Sequence, residues 1–266
     1  MGPSPPAPVV EAQADAAALA RAALDRGLDA AVRELPSRGP LVVLCSGGVD
    51  SGVLATRLRE RPQLVAAVVG VAGSPDLAAG RAAAEAIGIP SAVVAVDEDA
   101  VRSWAGWIDG RLGPLPPTQR AIATAFVLAV ANAPAGPIVV GQGADELFFG
   151  YAHYRRGPAS EAFARAEADL ARLRSTDWPR CVGLAAALGR EVHAPFLAEP
   201  FVAAARSIPE AIRWAAPPPK ALWRAYAAAR GVPPAVAGRP KKAWQYGSGV
   251  DRALRRAGPS TAPSRP

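Results

Sequence analysis

Apolar residues along this chain follow two alternating rhythms. Short unbroken runs fall at Leu41-Val42-Val43-Leu44 (with Cys45 closing a strand 41–45), 63–71, 92–96 and 138–140, and read as buried strands. Between them, apolar residues recur every three or four positions over 11–34, 52–58, 76–87, 98–109 and 118–132, and read as helices. The punctuation agrees with this division. Pro36 and Gly39 stop the first helix, Ser74-Pro75 opens the third, and Gly88 closes it. Strands alternating with helices predict an α/β fold, a doubly wound parallel sheet. Beyond about residue 155 the strand pattern stops. Spans 159–174, 197–207 and 220–230 predict helices, linked by prolines at 217–219 and 233–234. The expected organisation is a disordered tail over 1–10, an α/β region over 11–155, a helical region over 156–250 that completes it, and a polar, proline-containing tail over 251–266.

Composition narrows the function classes. At 266 residues the chain fits one large domain or two small ones. Half of it is hydrophobic, yet no apolar run reaches a membrane span, so no membrane role is expected. The N-terminal stretch is proline-rich and lacks the basic, apolar and cleavage-site order of a secretory signal, so the expected compartment is the cytoplasm. Cys45 and Cys181 stand alone, without a Cys-x-x-Cys pair, which argues against zinc, iron–sulfur and redox chemistry. The net charge of +7 invites a nucleic-acid reading, but the arginines are scattered, with 155–156 and 255–256 the only tight pairs. Only three lysines exist, Lys220, Lys241 and Lys242. In a chain that otherwise uses arginine, a lysine marks a need for a compact point charge.

The chemistry concentrates in the loops after two of the strands. Ser46-Gly47-Gly48-Val49-Asp50-Ser51 follows the first strand and opens a helix. Backbone N–H groups at such a helix start bind anions, and Gly47 and Gly48 let a phosphate approach closely. Ser46 and Ser51 add hydroxyls, and Asp50 is the type of group that ligates Mg²⁺. The loop has no lysine of its own, so the cation that neutralises phosphate must come from elsewhere. A second glycine-rich segment, Gly141-Gln142-Gly143-Ala144-Asp145-Glu146-Leu147-Phe148-Phe149-Gly150-Tyr151, follows the fourth strand. Both loops belong at the carboxyl edge of the sheet, where such folds bind ligands.

The first loop resembles the pyrophosphate-binding loop of the ATP pyrophosphatase superfamily, also called the adenine nucleotide α-hydrolase type. With the second loop it resembles the synthetase domain of asparagine synthetase and its β-lactam-forming relatives. Three further segments, 72–76, 191–197 and 239–249, are similar to the family's remaining motifs in the same order. The resemblance implies ATP and Mg²⁺ as cofactors, with the metal on Asp50 and Asp145. It implies ATP and pyrophosphate binding by Ser46, Gly47, Gly48, Asp50, Ser51, Gly141 and Lys241, and adenine held near Val69 to Val71. Lys241 matches the catalytic lysine, with Lys242 its rival. Arg120 stands at a substrate-side or phosphate-side arginine, and Gln142 at the position that serves the nitrogen nucleophile. The implied activity is adenylation of a small-molecule carboxylate, then acyl transfer to ammonia or an amine.

Departures fall on the acceptor side. Gln142 stands where amide-forming members carry an acid and ring-closing ones a tyrosine, and it cannot accept a proton at neutral pH. His193 and Ala198 replace an arginine and an acid, and His193 reads as a structural hydrogen bonder. Only about forty residues precede the first strand, and they contain no cysteine. A glutaminase domain is therefore not expected in this chain, and nitrogen would come from ammonia, an amine or a separate glutaminase subunit. Two other readings compete: a tRNA-modifying relative, favoured by the basic charge, and a non-catalytic ATP-binding subunit, favoured by Gln142 and Ala198.

Overall fold

The computed structural model of the chain describes residues 7–214 and 218–257, the side chains of 7–14 and 257 excepted. From the N-terminus run α1 (Ala7–Arg33), β1 (Leu41–Leu44), α2 (Val49–Leu58), β2 (Leu64–Val71), α3 (Pro75–Ile87), β3 (Ser91–Val96), α4 (Glu98–Leu112), α5 (Pro117–Asn132) and β4 (Ile138–Val139). There follow α6 (Ala144–Leu147), α7 (Ala159–Arg172), α8 (Trp178–Ala186), β5 (Val192–His193), α9 (Glu199–Arg206) and α10 (Glu210–Arg213). The last four are α11 (Ala221–Ala229), α12 (Pro234–Ala237), α13 (Trp244–Gly247) and α14 (Val250–Ala257). A π-helical stretch, Leu173–Asp177, joins α7 to α8. No helix among the described residues is long and apolar enough to cross a membrane.

The five strands form one all-parallel sheet in the order β3-β2-β1-β4-β5. Strand β1 is buried on both faces, and its alternation divides the core in two. Leu41 and Val43 pack with Leu24 and Leu28 of α1, Leu54 of α2, Val202 of α9 and Trp223 of α11. Val42 and Leu44 pack on the other side with Val101 of α4, Phe126 and Val130 of α5, Cys181 of α8 and Val250 of α14. That is the doubly wound α/β arrangement the alternating pattern predicts. The chain builds outward from β1 through β2 to β3, then returns to place β4 on the other flank of β1. The loops after β1 and β4 therefore diverge and leave a crevice at the strands' carboxyl ends.

Three segments differ from expectation, each for a local reason. Strand β5 lies where only helix was expected. It is two residues long, too short to show an apolar run, and is held by Ile138 N–H to Glu191 O and Val140 N–H to His193 O, both at 2.9 Å. Helix α8 continues past Pro179, whose missing N–H falls in the first turn after the wide π stretch. The described parts of both expected tails are helical. Residues 7–10 already belong to α1, and 251–257 belong to α14, whose Val250 and Ala253 pack with the α4 and α5 side chains. Residues 1–6 and 258–266 of the expected tails lie outside the described residues.

Helix α3 lies directly on the sheet. A Cβ at Gly80 would meet Cys45 O at 2.4 Å and Val68 Cγ1 at 2.6 Å. Gly110, on the exposed face of α4, has nothing within 4 Å of that position. The same substitution should thus have opposite signs. Gly80→Ala should destabilise by about 1–3 kcal/mol through overpacking. Gly110→Ala should stabilise by up to about 1 kcal/mol through helix propensity. Urea unfolding of the two variants checks this.

Candidate functional site

The loop after β1 is shaped by one glycine. Gly47 has φ +78°, and a Cβ there would lie 2.5 Å from the Ala79 carbonyl. Gly48 then caps α2, with Gly52 N–H donating to its carbonyl at 2.9 Å. Ser51 Oγ donates to Gly48 O at 3.1 Å, so its hydroxyl braces the turn. Ser46 lines the crevice, and its carbonyl accepts from Arg239 Nη1. Arg239 also reaches Asp76 Oδ1 at 2.7 Å, and burial raises the Asp76 carboxyl against the pull of that guanidinium. Gly247 makes room for Asp76, since a Cβ there would stand 2.2 Å from Asp76 Oδ2. The segment 239–249 is thereby fastened across the loop, which brings Lys241 and Lys242 into the crevice.

Asp50, in the first turn of α2, and Asp145, in the first turn of α6, converge on a residue not assigned any role from sequence. Lys220 Nζ lies 2.7 Å from both oxygens of Asp50 and 2.8 Å from Asp145 Oδ1. Trp223 Nε1 donates to Asp50 Oδ1 at 2.9 Å, and Lys241 Nζ donates to Asp145 Oδ2 at 2.6 Å. Lys220 is 1% exposed and precedes α11 in the left-handed conformation, φ +62°, which is uncommon outside glycine. Gly150 admits it, because a Cβ there would come within 2.3 Å of Lys220 Cε and 2.0 Å of Asp145 Oδ1.

Burial alone would raise the Asp145 carboxyl, but Lys220 and Lys241 hold it down at about 2. Burial works against the charge on Lys241 too, and Asp145 and Asp50 outweigh it, so its pKa is raised. Glu146, next along α6, is pushed up to about 7 by burial and by Asp145, although Tyr151 Oη donates to it at 3.1 Å.

The crevice holds a cavity of about 560 Å³. Leu44, Ala67, Val69 and Val140 from the strand ends form an apolar side, faced by Ile122 of α5 and Leu184 of α8. Gly141, Gln142 and Asp145 line the cavity as well. Gln142 Nε2 is 3.9 Å from Cys181 Sγ, and Gln142 Oε1 is buried with no hydrogen-bond partner. Asp177 on the π stretch also lines the cavity, between Arg172 at 3.6 Å and Arg180 at 3.5 Å.

Most residues expected at the site do meet here: Ser46, Asp50, Ser51, Val69, Gly141, Gln142, Asp145 and Lys241 all line this cavity. Gly48 lines a smaller polar pocket of about 40 Å³ beside it, with Lys220, Arg224 and Arg239. Three expectations need comment. Arg120 forms a bidentate pair with Asp109, at 2.7 Å for the closest contact, and does not line the cavity. Val69 lines the cavity but Val71 does not, and Val71 N–H donates to Ser248 O at 2.8 Å. Asp50 and Asp145 offer the hard oxygens that suit Mg²⁺, but the position between them is filled by an ammonium group, and in this arrangement they do not fit a divalent cation. No group of three or more potential His, Cys, Asp or Glu ligands occurs among the described residues. His193 bonds Glu191 at 2.8 Å, away from the cavity, as a structural residue. Lys220 and Trp223 were the residues missed. Lysine scarcity pointed to the first, and Trp223 follows three residues later in the first turn of α11.

A glycine loop at the switch point of a parallel sheet, fronted by lysines, defines an α/β protein of the ATP pyrophosphatase type. Comparison with known proteins gives the family. The asparagine synthase family model matches residues 23–180 and again 158–258, and the chain belongs to that family. It is 29% identical over 195 residues to asparagine synthetase [glutamine-hydrolyzing] of Brassica oleracea, covering 68% of this chain and 33% of the relative. It is 30% identical over 198 residues to the Triphysaria versicolor protein of the same name, covering 68% and 34%. A putative asparagine synthetase [glutamine-hydrolyzing] of Methanocaldococcus jannaschii is 27% identical over 194 residues, covering 70% and 36%. The chain thus spans about a third of the length of these relatives.

The two neighbouring acids act on stability in opposite directions. Glu146 ionises at about 7 in the folded chain against 4.5 for the free side chain, so the folded state holds its proton longer. Stability should fall as pH rises from about 4.5 to about 7, by on the order of 3 kcal/mol from this group. Asp145, at about 2 against 3.8, contributes stability above pH 3.8 that is lost as pH falls towards 2. Glu146→Gln should flatten the upper window and leave the lower one intact, as read by urea unfolding from pH 2 to pH 8.

Proposed function

We propose that this chain is an ATP-dependent carbon–nitrogen ligase. It adenylates a small carboxylate, releases pyrophosphate, and passes the acyl group to ammonia or an amine. The observation that carries this reading is a glycine loop facing Lys241 and Lys242 across one cavity, with the loop's own residues supplying no cation. Family membership supports the same class of ligase.

In this reading a carboxylate oxygen attacks the α-phosphorus of ATP, and the bond from that phosphorus to the bridging oxygen breaks. The pyrophosphate leaves towards the N–H groups of the 46–51 loop, where a helix start favours anions. Lys241 is placed to meet the negative charge that grows as the bond breaks. The nitrogen nucleophile then attacks the acyl carbon, the bond from that carbon to the AMP oxygen breaks, and the nitrogen's proton passes to the departing phosphate or to solvent. Gln142 Oε1, buried without a partner, can accept a hydrogen bond from that nitrogen and orient it, but cannot remove its proton. The apolar side of the cavity excludes water from the acyl intermediate.

Pyrophosphate exchange into ATP, run over a panel of carboxylic acids with and without ammonia, tests the reading. Carboxylate-dependent exchange, with AMP as the nucleotide product, is the expected result. Exchange with no acid in the panel, or ADP and phosphate as the main products, would overturn it.

Lys241→Ala should lower kcat by about 10²–10³-fold with a much smaller change in KM for ATP, as for other groups that act mainly in the transition state. Lys242→Ala, without a bond to Asp145, should cost far less. Gln142→Glu should leave exchange unchanged and speed amide formation at neutral pH by about a hundredfold, because it restores a proton acceptor. Steady-state kinetics of exchange and of amide formation separate these effects.

A further inference from the structure

Four carboxylate oxygens meet beside the glycine loop: three accept hydrogen bonds, and the fourth, Asp145 Oδ1, is buried against an ammonium as an ion pair without a hydrogen bond. Lys220 Nζ contacts both oxygens of Asp50 at 2.7 Å and Asp145 Oδ1 at 2.8 Å. Two of the ammonium's three N–H donors go to Asp50, and its charge stands against Asp145 Oδ1. Trp223 Nε1 shares Asp50 Oδ1 at 2.9 Å, and Lys241 holds Asp145 Oδ2 at 2.6 Å. Two carboxylates face two ammonium groups, so the charges cancel within the cluster. Lys220 is not a surface lysine that has drifted inward, since it is 1% exposed in a slot that a Cβ at Gly150 would fill. A Mg²⁺ ion requires oxygens at about 2.0–2.1 Å, and Lys220 stands where those oxygens would converge and carries the same sign of charge.

We propose that Lys220 is a built-in counterion that holds the position between Asp50 and Asp145 in the nucleotide-free protein, so that these carboxylates take up no divalent cation until phosphates compete for the ammonium. The first half of this statement is independent of the proposed activity; the release by phosphates rests on the ATP-dependent reading. The lysine keeps two buried like charges apart when no nucleotide is present. It also delays assembly of a metal centre until the anion that needs it has arrived.

The full-length chain without nucleotide, titrated with Mn²⁺ and followed by the electron paramagnetic resonance signal of the free ion, tests this. Wild type should show no uptake that Asp50→Asn removes. Lys220→Met, which keeps the stem and deletes the charge, should bind one Mn²⁺ at least about tenfold more tightly than wild type. The added site should vanish in Lys220→Met combined with Asp50→Asn. Mg²⁺ should raise the Tm of folded Lys220→Met and leave that of wild type unchanged. Mn²⁺ uptake by wild type that is lost in Asp50→Asn would overturn the proposal, and this comparison stands even if Lys220→Met does not fold. A folded Lys220→Met that binds no more Mn²⁺ than wild type would overturn it as well. Absence of pyrophosphate exchange alongside the expected Mn²⁺ results would remove the ligase reading and leave the counterion in place.

Discussion

A single buried ammonium shared by two aspartates is the interaction on which the site depends. Asp50 comes from α2, Asp145 from α6, Lys220 from the start of α11 and Lys241 from the segment before α13. These four residues span 191 positions of sequence and join four separate pieces of chain. Removing one partner of such a buried pair leaves an uncompensated charge, which typically costs about 3–5 kcal/mol. The cluster therefore locks the helical region onto the loops of the sheet. It also keeps the charges of the site arranged before any ligand is bound.

Aromatic packing sets the position of that ammonium. Trp223 is fully buried, with Phe148 stacked on its ring at 4.6 Å and Tyr226 at 5.1 Å. Phe196 meets it edge-on at 5.1 Å. Phe148 belongs to the same glycine-rich segment as Asp145, and Trp223 to the same helix as the residue after Lys220. Packing one pair thus aligns the other. Apolar burial supplies most of the free energy, while the charged cluster ties the helical segment to the loops by directional contacts.

The two halves of the cavity differ in character. The loop side is rigid, cross-linked by Arg239 to Ser46 O and Asp76, and rich in positive charge. The far side combines apolar strand ends with the π stretch, where Asp177 lies between two arginines. A π segment widens the helix and often marks a functional position. Here it brings a charged group, Asp177, to the cavity wall. The departures in the family motifs divide between inside and outside. Gln142 lines this far side beside Cys181, whereas His193 and Ala198 lie outside the cavity.

Sequence alone determined the alternation of strand and helix, the parallel sheet, the two glycine loops at its carboxyl edge and the family. These are local or periodic properties: apolar runs, caps such as Gly88, and motifs whose residues are neighbours along the chain. It did not reveal β5 or α8, because a two-residue strand has no period and Pro179 imitates a helix stop. It also could not say which of two possible partners an aspartate takes. Asp50 is the type of residue that binds a metal, and it pairs with a lysine 170 positions away. Arg120 is the type that binds a phosphate, and Asp109 holds it eleven positions back. A side chain's chemistry is set by its type, but its partner is set by which distant segments pack together. Only the tertiary structure decided that, by placing Lys220 in the slot left by Gly150.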